Sequence, residues 1–275
     1  MARCGGFQCQ RSGGENGLED ALIILWEPDC ASGSHGVVSR HSRTIGTVTH
    51  ALPFFLPTTS RINQERHRME QYPSIIGSAK APLGKPCVAQ YKYDGSNLRW
   101  EWSPKKGFHK YGTRRELFDK TDPIFGMAIE MFHDTLADDI VRRTKNFIRN
   151  PQRITAFTEF FGEHSFAGSH EPGDTKEIRL FDIYLFQKGM LPIKDFVKHY
   201  GDMPQAAEIV YEGNLNREFI TTLKKGTFKS TETLARPIFE GVIAKGDGFA
   251  VKIKTDEYFR HLRHKYPERW QDFGE

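Results

Sequence analysis

Lysine is absent from the first 68 residues of this 275-residue chain, and all 19 lysines lie from Met69 onward. The leading segment holds seven arginines and three of the four cysteines (Cys4, Cys9, Cys30). It is rich in Gly, Ser, Thr and His, with turn-like runs at 11–17 and 31–36, and no stretch keeps a helical or strand period for long. Cys4, Cys9 and Cys30 with His35 match no common zinc-ligand spacing. Residues 1–68 therefore read as a disordered extension without chemistry of its own, and residues 69–275 must build the fold.

From Met69 the periodicity sharpens. Pro86–Tyr93 reads as a strand running into a turn at Asp94–Gly95, and Leu98–Trp102 alternates as its return strand. Asp122 followed by Pro123 is a helix start, and Ile124, Ala128, Phe132, Leu136 and Ile140 continue at helical spacing to Arg149, before Asn150–Pro151. Arg153–Phe161, Glu177–Phe186, Phe239–Lys245 and Phe249–Lys254 read as strands. Pro192–Tyr200, Asn214–Lys225 and Thr255–Tyr266 read as helices. The expectation is an α+β domain of mostly antiparallel sheets flanked by helices.

Composition narrows the class. Hydrophobic residues at 38% and aromatics at 12% supply a core, which excludes a disordered or fibrous chain. No apolar run approaches membrane-spanning length, and Ala21–Trp26 is too short for a signal-peptide core. Four cysteines make no disulfide framework, which points to an intracellular, reducing compartment. A formal charge of +4 is compatible with a nucleic-acid partner without requiring one.

The chemistry lies in charges placed inside strands. Lys92, in Lys92-Tyr93-Asp94-Gly95-Ser96-Asn97, sits at a strand end beside a tight turn, where neighbouring cations would lower its pKa and expose a nucleophilic amine. Glu159 interrupts the aromatic run Phe157–Phe161, and Glu240 opens the apolar run Gly241–Ala244; unpaired, either carboxylate would be costly to bury. Lys252 and Lys254 share one face of a strand whose other face carries Val251 and Ile253. Such charges need a shared polar cavity that binds an anion with a metal, and a nucleoside triphosphate fits. The sequence has neither a G-x-x-x-x-G-K-[ST] loop nor a G-x-G-x-x-G fingerprint, which disfavours P-loop and Rossmann binding.

KYDGSN, TEFFG, FDIYLF, EGVIAK and VKIK together resemble, in order, the motifs of the covalent nucleotidyltransferases: ATP-dependent RNA and DNA ligases and mRNA capping enzymes. Asn97 stands where DNA ligases and capping enzymes usually carry arginine, and this resembles the RNA ligase group of phage RNA ligase 2 and the trypanosome RNA-editing ligases. The resemblance implies an ATP-grasp-like ligase adenylation domain over residues 69–275. It implies that Lys92 attacks the ATP α-phosphorus to form lysyl–AMP, with Lys252 and Lys254 on the α-phosphate. It implies nucleotide contacts from Asp94, Gly95 and Asn97, from Arg114 (or the adjacent Arg115), from Glu159 at the ribose and from Lys245. Phe181, or an aromatic one or two positions away, would stack on adenine. Glu240 would help hold Mg²⁺, with Mn²⁺ as a substitute.

AMP would then pass to an RNA 5′-phosphate, and a 3′-hydroxyl would seal the strand. Only 21 residues follow Lys254. No C-terminal OB-fold or helical module is expected there, so strand joining is expected to be weak, dependent on an accessory protein that supplies RNA binding, or restricted in substrate. The rival readings are a DNA ligase or capping guanylyltransferase core, and a nucleotide- or RNA-end-binding module without turnover. Asp182 reads as a turn anchor, Glu163 and His164 as loop residues, and Tyr91, Trp100, Trp102 and Cys87 as core.

Overall fold

In the computed structural model of the chain, residues 69–163, 173–225 and 239–268 are described. The extension expected at 1–68, with its cysteines, and His164 lie outside them.

Two sheets carry the domain. The first has the order β1-β11-β10-β2-β9, from Ile76–Gly77 (β1), Phe249–Lys254 (β11), Phe239–Gly246 (β10), Pro86–Tyr93 (β2) and Ile209–Asn214 (β9). It is antiparallel except where β1 runs parallel to β11. The second is wholly antiparallel, with the order β5-β4-β3-β6-β7-β8. Its strands are Leu117–Phe118 (β5), Gly107–Thr113 (β4), Ser96–Ser103 (β3), Ile154–Phe161 (β6), Glu177–Leu185 (β7) and Gly189–Met190 (β8). The α+β, antiparallel expectation holds.

Its first hairpin does not. β2 and β3 are in different sheets, so Asp94–Gly95 is a crossing between sheets rather than a hairpin turn. Alternation shows that a segment is a strand but not which strand it pairs with. β3 pairs instead with β4 and β6, and neither β4 nor β9 was foreseen from the sequence.

The helix expected from 124 to 149 is divided. Asp122 Oδ1 accepts from the Ile124 and Phe125 amides at 2.9 and 2.8 Å, capping a turn. Regular helix then runs Gly126–Phe132 (α1) and Asp138–Phe147 (α2), joined by a π-helical segment His133–Ala137. The helix expected from Asn214 begins at Arg217 (α4, Arg217–Lys224), where Asn216 Oδ1 caps the Phe219 amide at 2.7 Å; α3 spans Ile193–Tyr200.

Each sheet buries one face under helices. Trp100 stacks on Phe132 of α1 at 4.1 Å, and its indole N–H reaches Thr158 Oγ1 at 2.8 Å, satisfying the one polar group it carries. Leu98, Ala156, Leu180 and Ile183 share this core with α1, α2 and α3. On the first sheet, Ala89, Tyr91, Val242, Ala244, Val251 and Ile253 pack with Phe219 and Leu223 of α4. Strand alternation then sends their neighbours Lys92, Gln90, Lys245, Lys252 and Lys254 to the opposite face. Among the described residues no helix is long and apolar enough to cross a membrane.

Candidate active site

Register assembles the site. Lys92 on β2, Gly241 on β10 and Lys254 on β11 form one row across three strands. The next row on that face holds Gln90, Ile243 and Lys252. Lys92 and Lys254 are two strands apart, roughly 10 Å. Glu240 fills the gap because a bulge between Phe239 and Gly241 leaves it without a ladder partner and turns its side chain inward. Glycine is required after it: a Cβ on Gly241 would lie 2.0 Å from the Ile253 carbonyl oxygen.

Glu240 Oε1 accepts from Lys92 Nζ at 2.6 Å, and Oε2 lies 3.4 Å from Lys254 Nζ. Burial raises the Glu240 pKa, but Lys92 and Lys254 outweigh it and hold the carboxyl below its usual value. For Lys92, burial favours the neutral amine, yet the opposing charges of Glu240, Glu159 and Asp94 prevail and its pKa is raised. This corrects the sequence expectation. Lys92 is held as an ammonium, first of all by Glu240, rather than activated by cations.

The second sheet supplies the facing row Asn97, Glu159 and Arg179, on β3, β6 and β7. Burial pushes the Glu159 carboxyl up to about 8; Lys92 opposes the shift, and Glu240 and Asp94 add to it. Asn97 Oδ1 is buried with no partner. The crossing turn is pinned between the sheets. Asp94 is fully buried, and a Cβ on Gly95 would meet the Phe160 carbonyl oxygen at 2.4 Å. Tyr93 stacks flat on Phe161 at 4.7 Å.

Other expected residues lie elsewhere. Lys245 shares the inner face but is opposite Val88, four residues along β10 from the Lys92 row, roughly 13 Å away. Its ammonium donates to Asp182 Oδ2 at 2.9 Å and to the Phe181 carbonyl at 2.7 Å, and all three residues are buried. Asp182 also accepts from the Tyr72 hydroxyl at 3.0 Å, so it anchors an ion pair rather than a turn. Phe181 is the extra residue of a bulge in β7, which brings it and Asp182 together; its ring meets Tyr72 edge-on at 5.1 Å. Arg114 and Arg115 are exposed on the turn after β4, outside these contacts. Tyr91, Trp100, Trp102 and Cys87 are core, as expected.

Sequence reading missed Gln90 and Tyr72. Gln90 is 1% exposed, and neither atom of its amide has a partner. Its spacing of two from Lys92 on a strand was the available signal. Tyr72 precedes the first long strand and offered none.

A nucleoside triphosphate fits this face. Lys254 and Lys252 offer cations to phosphate, while the unpaired Asn97 oxygen and Gln90 amide need partners that a nucleotide carries. Among the described residues no group of three or more His, Cys, Asp or Glu side chains converges on a metal position. A divalent cation held here by Glu240 would draw its other oxygens from phosphates and water, as Mg²⁺ commonly does.

No protein-family model and no curated protein sequence matches the chain. Solved structures do. A mutant Naegleria gruberi RNA ligase with AMP and Mn is 18% identical, with a TM-score of 0.51 over 70% of this chain and 58% of that one. The Naegleria RNA ligase with pyrophosphate is 18% identical at a TM-score of 0.51, covering 73% of this chain and 59% of that one. An archaeal ATP-dependent RNA ligase is 13% identical at 0.51, covering 73% and 52%. The match thus spans little more than half the length of those ligases. Across that span the chain shares the fold of these RNA ligases.

Proposed function

We propose that this chain is an ATP-dependent RNA ligase that forms a covalent lysyl–AMP at Lys92, passes AMP to an RNA 5′-phosphate and joins that end to a 3′-hydroxyl. The observation that carries the reading is the row Lys92–Gly241–Lys254 with Glu240 bulged into it. It sets a strand-end lysine beside a carboxylate and a second ammonium, on a fold shared with RNA ligases.

In the first step Lys92 Nζ forms a bond to the α-phosphorus, and the bond from that phosphorus to the bridging oxygen breaks as pyrophosphate leaves. A protonated Lys92 cannot attack, so the ammonium first releases a proton to water, which its 21% exposed side chain can reach. A divalent cation, when bound, supplies charge neutralisation on the triphosphate. Glu240 is the residue that would hold it, and in doing so would withdraw the anion that keeps the proton on Lys92. Lys254, two strands away, then bears against the ammonium form. Lys252 and Lys254 receive charge developing on the phosphate oxygens. Glu159, held protonated near neutral pH by burial, donates to or accepts from a ribose hydroxyl without adding a fourth charge. Asn97 takes a donor on its free oxygen.

Incubation with α-labelled ATP or GTP and Mg²⁺, followed by a denaturing gel, tests this. ATP should give an acid-labile labelled band, absent in a folded Lys92→Ala protein. Labelling by GTP alone would move the chain to capping chemistry, and labelling of Lys92→Ala would remove Lys92 from its role. Joining of a nicked RNA duplex bearing 5′-phosphate and 3′-hydroxyl ends tests the later steps. Residues 1–68 have no part in this reading, so a chain starting at Met69 should label equally well.

A further inference from the structure

The last helix, α5 (Asp256–Lys265), follows Lys254 directly and has no part in the chemistry above. It is fixed at its start. Thr255 Oγ1 accepts from the Tyr258 amide at 3.1 Å, a side-chain cap, and the Thr255 amide donates to the Glu240 carbonyl at 2.9 Å. The helix is therefore stapled to the strand that carries Glu240.

This places Tyr258 with its side chain 6% exposed. Its hydroxyl donates to Asp94 Oδ1 at 3.4 Å, and Lys254 Nζ lies 5.2 Å from its ring centroid. One side chain thus touches both the turn after Lys92 and the lysine at the end of β11. Those two pieces are 160 residues apart in sequence (Asp94 and Lys254) and belong to opposite ends of the motif series.

We infer that Tyr258 is a positioning residue for lysyl–AMP formation, holding Asp94 and Lys254 in place relative to Lys92. The inference rests on the nucleotidyl-transfer reading above. Neither contact is strong alone: the hydrogen bond is long, and a cation–π contact is modest. Their effect lies in placement. Lys254 has a flexible stem, and the ring face below it narrows the volume its ammonium explores. A misplacement of about 1 Å is enough to cost about 10²-fold in rate when positioning carries the chemistry.

Two variants of the full chain separate this role from simple packing. Tyr258→Phe keeps the ring and removes the hydroxyl; Tyr258→Leu removes both contacts. The readouts are single-turnover adduct formation across a range of α-labelled ATP concentrations, and thermal melting. Tyr258→Phe should form the adduct about tenfold more slowly at saturating ATP, with its half-saturating ATP concentration within about twofold of wild type. Tyr258→Leu should be about 10²-fold slower. A Tyr258→Phe rate within about twofold of wild type overturns the assignment, as does a loss that disappears on cooling in step with recovered folding. If the wild-type chain forms no adduct with either nucleotide, the nucleotidyl-transfer reading falls and this one with it. An adduct in wild type with Tyr258→Phe unimpaired removes Tyr258 alone.

Discussion

Two lysines on one face of the first sheet are each paired with a carboxylate, and the pairs differ. Lys245 and Asp182 are both 7% exposed at the side chain, and the ammonium has a second acceptor in the Phe181 carbonyl while the carboxylate has a second donor in Tyr72. Lys92 is 21% exposed, shares Glu240 with Lys254, and lies near a carboxyl forced toward its neutral form and an asparagine oxygen with no partner. The first pair is internally satisfied. The second has beside it a buried asparagine oxygen without a partner. Buried charge therefore does not by itself identify a reactive centre; these two pairs differ in what remains unpaired beside them.

The sharpest way to break this comparison is to remove one lysine from each pair. Lys245→Met should destabilise the protein by about 3–5 kcal/mol, because Asp182 is left as an uncompensated buried charge. Denaturant unfolding would measure this, and the variant should still form the lysyl adduct at temperatures where it is folded. Lys254→Ala should do the reverse, slowing adduct formation by about 10²–10³ with a much smaller change in unfolding midpoint. If Lys245→Met is stable but inactive, Lys245 belongs to the phosphate field after all, and the division between the pairs fails.

A milder probe acts on the closed pair alone. Tyr72→Phe deletes the hydroxyl that donates to Asp182 and leaves the ring between Phe157 and Phe181. A hydrogen bond to a charged acceptor contributes about 1.5–3 kcal/mol, so a loss near the lower figure is expected, with adduct formation at saturating ATP unchanged. A slowed reaction with full stability would mean that Tyr72 acts on the nucleotide through Phe181.

The sequence makes one pair more legible than the other. Lys92, Glu240, Lys252 and Lys254 could be found because each puts a charge into a strand that is otherwise apolar. Asp182 and Lys245 have the same local signature, and nothing local tells that they meet each other: their partnership is set by a bulge in β7 and by the distance between two sheets. The hairpin error has the same origin. Pro86–Trp102 contains two correct strands, but the return strand joins the other sheet, because β4 and β6 offer β3 partners that alternation cannot name. The raised Lys92 pKa was missed because the sequence gives no distances, and the Glu240 carboxylate lies 2.6 Å from the Lys92 ammonium.

The smallest expected effect is one of slope, and it asks whether the open pair is held ready at a stability cost. Burial raises the Glu159 pKa to about 8 in the folded protein, while an unfolded glutamate titrates near the ordinary value. Between those two values the unfolded chain has released a proton that the folded one keeps. Stability from this group is therefore complete below the unfolded pKa and is lost as pH rises toward 8. Glu159→Gln cannot titrate, so its melting temperature should match wild type near pH 5 and exceed it progressively up to pH 8. Saturating ATP with Mg²⁺ should flatten the difference, since a ribose hydroxyl engaging Glu159 would add to the hydrogen bond it already accepts from the Gly95 amide. Parallel melting curves from pH 5 to pH 8 would mean that Glu159 is ionised in the folded protein and already paired, and that the region around Lys92 is as closed as the one around Lys245.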